Sequence, residues 1–133
     1  MLKFASFCAI GLIALFICCR SSEAVTVGEM LRKCERLIQI GKITGEGISL
    51  PTSESDAWFC LGYMSSVYDL TLIVDSSGNQ DRLLGICAST SVRVYQYIQI
   101  FNNYARARPA GWHEDVRAAL LPALFAAFPC AKP

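Results

Sequence analysis

Histidine is nearly absent from this 133-residue chain, with His113 the sole example, so catalysis or metal binding built on a pair of imidazoles is excluded. Charge is sparse as well: only 17% of residues are charged, and 12 Lys+Arg stand against 11 Asp+Glu. A nucleic-acid binder needs a basic excess to displace counterions, and none exists. Membrane-surface and polyanion partners fail on the same ground. The acids are scattered rather than paired, and no Cys-x-x-Cys spacing occurs. Gly41, Gly45 and Gly47 are too loosely spaced to cradle a phosphate. Internal repeats, low-complexity tracts and a second-domain boundary are all missing, which leaves one domain.

Long apolar runs are also few. One extends from Phe4 to Cys19, bounded by Lys3 and Arg20. It falls short of the roughly 20 residues of a membrane span, and Arg20-Ser-Ser-Glu-Ala24 follows it. A basic start, an apolar stretch and a small-x-small end describe a secretory signal peptide over residues 1–24, cut after Ala24. Retention of the segment as a membrane anchor is the rival reading. Removing Lys3, Arg20 and Glu23 leaves ten cations against ten anions in the mature domain, residues 25–133. That domain is expected in an oxidising compartment, with no membrane insertion after processing.

Of the seven cysteines, Cys8, Cys18 and Cys19 leave with the signal. Cys34, Cys60, Cys87 and Cys130 remain, and an even count in an exported chain reads as two disulfides with three possible connectivities. Helical periodicity dominates what lies between them. Thr26 and Glu29 suit a capping box. Val27, Met30, Leu31, Cys34, Leu37 and Ile38 then share one helical face until Gly41. Residues 41–54, with three glycines and a proline, read as loop.

A second helix is predicted from about Ser55 to Val74, capped by Ser53 or Ser55. Its stripe includes Phe59, Cys60, Tyr63, Met64, Val67, Leu70 and Val74. Gly62 inside it costs about 1 kcal/mol, tolerable where another helix crosses closely. Asp75–Asp81 is a polar turn, and Arg82–Ala88 an extended approach. A third helix covers about Ser91–Ala107, burying some of Val94, Tyr95, Ile98, Phe101 and Ala105. The fourth spans about His113–Phe128, carries Val116, Leu120, Leu124 and Phe128, and contains Pro122, which should kink or split it. The expected fold is an all-α bundle of about four helices. Short connectors favour antiparallel neighbours, which sets Cys34 level with Cys60 and brings Cys87 to Cys130.

No catalytic constellation emerges. His113 could pair with Glu114 or Asp115 only if helix neighbours faced each other, which they do not, so it reads as an exposed residue near a helix start. Tyr63 reads as packed with its hydroxyl at the rim, and Asp69 as solvated. The tyrosines 95, 97 and 104 read as core and rim. The Ser-rich stretches 52–55 and 89–91 read as helix caps rather than nucleophiles, and no cofactor is implied. Two loops suit a protein partner. Arg106–Trp112 concentrates Arg106, Arg108 and Trp112, residue types enriched among binding hot spots. The polar turn offers Asp75, Ser76, Ser77, Asn79 and Gln80. The rival reading of each is an ordinary solvated loop.

Taken together, Cys34 late in the first helix, Phe59-Cys60-Leu61-Gly62-Tyr63 opening the second, Ile86-Cys87 before the third and Phe128-Pro129-Cys130 at the end form a pattern. It resembles the Rap/Tai immunity family, over nearly the whole mature chain. The resemblance implies an exported, helical, non-catalytic periplasmic protein, often a homodimer. Such a protein guards bacteria against peptidoglycan amidase effectors delivered by type VI secretion, pushing a loop into the substrate groove of a cysteine amidase. The alternative is a periplasmic helical binding or structural protein on the same scaffold without a toxin partner.

Overall fold

The structure is a computed structural model that describes residues 24–44, 47–74, 82 and 84–130. Residues 1–23 of the expected signal peptide and the turn Asp75–Asp81 lie outside these. Four α-helices are present among the described residues: α1 Val27–Ile40, α2 Ser55–Leu72, α3 Val94–Arg106 and α4 Arg117–Ala127. The expected bundle is therefore present. A short antiparallel hairpin, β1 Lys42–Thr44 and β2 Gly47–Ser49, joins α1 to α2, so residues 41–54 are not all loop and the fold is not purely helical. Lys42 pairs with Ser49, Ile43 with Ile48 and Thr44 with Gly47. Three-residue strands are too short for a period-two pattern to show in the sequence.

Helix α1 starts where Thr26 Oγ1 accepts the N–H of Glu29 at 3.2 Å. Glu29 lies 3.6 Å from Lys33 instead of reaching back, so only half of the capping box is built. The orphan N–H groups of Val27 and Gly28 donate to Glu114 and Trp112 carbonyls, each at 2.9 Å. The buried face is Val27, Gly28, Met30, Leu31, Cys34 and Leu37, close to the predicted stripe. For α2 neither Ser53 nor Ser55 is the cap. The N-cap is Glu54, with no side-chain capping bond, and its carboxylate grips Arg36 at 2.6 and 2.9 Å.

Helix α1 packs on α2 and α3 on α4, with further contact between α1 and α3. The disulfides join Cys34 to Cys60 and Cys87 to Cys130, with Cα–Cα distances of 5.2 and 4.9 Å. Helix periodicity and antiparallel packing thus select the observed connectivity. Beyond Cys87, whose N–H donates to the Phe128 carbonyl at 2.9 Å, Ile86 bridges to Pro129. The core centres on Tyr97, Phe101, Met30, Met64, Leu120 and Leu124. Tyr97 shares a hydroxyl contact of 2.8 Å with Thr71, and burial raises the pKa of its phenol. Helix α4 begins four residues later than predicted and runs through Pro122 without splitting. Pro122 and Ala118 are both exposed, so water can solvate the carbonyl that loses its helical donor, which moderates the usual cost.

Candidate partner-binding surfaces

The Arg106–Trp112 connector is a folded knob. Pro109–Gly111 form a 3-10 turn, fixed by Gly111 N–H to the Arg108 carbonyl at 3.1 Å and Trp112 N–H to that of Pro109 at 3.2 Å. Each predicted contact residue has an internal partner as well. Arg106 meets Glu35 at 2.8 Å. The Arg108 guanidinium lies 3.8 Å from the Tyr104 ring centroid. Trp112 donates its indole N–H to the Ala105 carbonyl at 2.8 Å and remains 40% exposed. A Cβ on Gly28 would sit 3.2 Å from both Cβ and the carbonyl oxygen of Trp112, so the glycine lets α1 press against the knob. Just beyond, Arg117 bonds Asp115 at 2.7 and 2.9 Å, and its guanidinium and backbone N–H hold that carboxyl at a pKa of about 2. The rival residues Asp75, Ser76, Ser77, Asn79 and Gln80 lie outside the described residues.

Helix α2 presents a second surface that its sequence disguised. Its buried residues are Ala57, Cys60, Met64 and Thr71. Phe59, Leu70 and Val74, predicted to be inside, are 47%, 44% and 48% exposed. Apolar residues surround most of the helix, so periodicity could not choose a face; the Cys34–Cys60 bond does. The outer face carries Trp58, Phe59, Tyr63 and Leu70 around an open groove of about 450 Å³, and Phe59 stacks on Tyr63 with centroids 6.4 Å apart. Gly62 lines this groove with nothing within 4 Å of where a Cβ would stand, so no described helix crosses closely there to offset its cost. From Trp58 to Leu72 the only charge is Asp69. The signal that could have exposed this face was the surplus of apolar positions over what one buried stripe can use.

The remaining candidates fall where predicted: His113 and Asp69 are exposed, and Tyr63 is half-buried with its pKa raised by burial. No group of three or more His, Cys, Asp or Glu converges among the described residues, and no described helix is long and apolar enough to cross a membrane. The family model of the Rap1a immunity proteins matches residues 26–130. The chain belongs to the Rap1a immunity protein family. The matched span begins at the N-cap of α1 and ends at the last disulfide cysteine, so the family's domain coincides with the helical bundle. No curated protein and no solved structure matches. Family membership identifies the partner broadly as a protein effector.

Proposed function

We propose that the mature chain, residues 25–133, is a periplasmic immunity protein that binds and silences a peptidoglycan amidase effector of type VI secretion by occluding its active site, without catalysing a reaction itself. The observation that carries this reading is family membership over the whole bundle. The N-terminal pattern of a secretory signal and the closure of all four mature cysteines in disulfides support export to an oxidising compartment. The knob at Arg106, Arg108 and Trp112 suits a plug, because a segment already held in shape loses less entropy on docking. The turn containing Asp75, Ser76, Ser77, Asn79 and Gln80 is the rival contact.

Co-production of the chain with a periplasmic amidase effector tests the proposal. Arg106→Glu, Arg108→Glu and Trp112→Ala combined should abolish protection while leaving the helical circular-dichroism spectrum unchanged. Alanine at Ser76, Ser77, Asn79 and Gln80 tests the rival loop. Protection that survives both sets would remove both loops from the contact. If no effector is inhibited, the chain is instead a periplasmic binding protein on the same scaffold.

The outer face of α2 favours a homodimer within the same reading. An immunity protein must stay soluble before its effector arrives, and a face this apolar and nearly uncharged suits a permanent interface. Crossing two copies around Gly62 would be self-complementary, as a two-fold interface requires. Light scattering should give twice the chain mass for wild type and a single chain for Phe59→Asp with Leu70→Asp. A monomeric wild type would refute the pairing.

A further inference from the structure

We propose that the cleft between the hairpin and the start of α3 docks the free C-terminal end of a partner polypeptide that finishes in an aliphatic residue. Ile43 and Ile48, cross-strand partners in the hairpin, face Leu61 of α2 and Val94 of α3 across a recess of about 270 Å³. That is enough for an aliphatic side chain or two and small for a drug-sized ligand. Ile43 is 57% exposed, so the hairpin leaves its apolar wall open rather than closing it onto the core.

Charge complementarity names the other half of the ligand. Lys33, Arg36, Arg106 and Arg117 each have a carboxylate partner, Arg108 lies over Tyr104 and Arg82 donates to the Leu72 carbonyl. Arg32 and Lys42 form no ion pair among the described residues, but neither lines the recess. Arg93, exposed at the rim of the cleft, forms no ion pair among the described residues, and no described acid lines the recess. Ser65, also in the lining, has no hydrogen-bond partner for its hydroxyl among the described residues. An apolar recess beside a guanidinium that has no carboxylate partner among the described residues matches a ligand carrying an aliphatic chain and a carboxylate side by side. The last residue of a polypeptide has both on one carbon, and its carboxylate fits the two-pronged guanidinium. A peptide is favoured over a free fatty acid because β1 and β2 pair only with each other among the described residues. Their outer edges can take an added strand. This docking is separate from the effector contact and stands or falls without it.

The test is fluorescence anisotropy of the exported chain with the dye-labelled peptide Gly-Ser-Gly-Val-Leu, ending either in a free carboxylate or in an amide, and with decanoate as competitor. The acid form should bind at least about tenfold more tightly than the amide. Arg93→Gln should remove about that factor without moving the thermal midpoint, since the side chain is exposed. Methyl shifts on binding should be confined to Ile43, Ile48, Leu61 and Val94. Equal binding of acid and amide, no effect of Arg93→Gln, shifts elsewhere, or binding of decanoate but not the peptide would each overturn the proposal.

Discussion

Opening the two disulfides separately should destabilise the fold to similar extents but under different conditions. Their loops span sequence separations of 26 and 43 residues, and the chain-entropy relation gives about 3.5 kcal/mol for the first and about 4 kcal/mol for the second. The bonds differ in access. Cys34 and Cys60 are fully buried between α1 and α2, whereas Cys87 is exposed and Cys130 half-buried at the molecule's edge. A mild thiol should therefore open Cys87–Cys130 first and leave Cys34–Cys60 closed until global unfolding, because exchange needs access to the sulfur. Cys87→Ser with Cys130→Ser should lower stability by about 4 kcal/mol, a fall in midpoint of about 15–25 °C for a domain of this size. Cys34→Ala with Cys60→Ala removes buried atoms as well as the tether and should cost about 1 kcal/mol or more beyond its 3.5. Urea unfolding of each variant, with peptide mapping after graded reduction, measures both effects. A loss under about 1 kcal/mol for the Cys87/Cys130 variant, or earlier opening of the buried bond, would refute the reasoning.

Gly28→Ala gains helix propensity, at most about 1 kcal/mol, but drives a Cβ into Trp112, 3.2 Å from its carbonyl oxygen. The backbone contact should win, giving a net loss of about 1 kcal/mol in urea melts and altered tryptophan fluorescence. Tyr97→Phe removes the 2.8 Å contact with Thr71 and should cost about 1 kcal/mol with helical content retained. Asp115 has its pKa depressed from 3.8 to about 2 by Arg117. Its contribution is therefore complete above the unfolded value and is lost as pH falls from about 4 towards 2. Asp115→Asn should flatten that part of the stability–pH curve, and an unchanged acid limb would show that the pair does not couple to folding.

Much of the bundle was legible because its signals were local. The stripe of α1 has one apolar face, and Val116, Leu120 and Leu124 repeat at four-residue spacing, so burial followed periodicity. The disulfide pairing followed from levelling helix ends. Helix α2 defeated the same method because apolar residues lie around most of its circumference, and only the bond to Cys34 decides which face turns inward. The hairpin was hidden by three-residue strands among glycines. At the Arg106–Trp112 connector, composition identified a concentrated surface, but the contacts that tie it to α1, Arg106 to Glu35 and Trp112 against Gly28, are long-range and leave no local trace. Asn102 is a further case: it is fully buried, and its side chain has no partner among the described residues, which helical spacing alone could not indicate.

The most direct test of the immunity function is titration of the purified mature chain into cysteine-dependent peptidoglycan amidase effectors while muropeptide release is followed. One amidase in such a panel should lose its activity stoichiometrically, with inhibition complete at one chain per enzyme and no product formed by the chain itself. Full amidase activity across the panel at excess chain would contradict the proposed function.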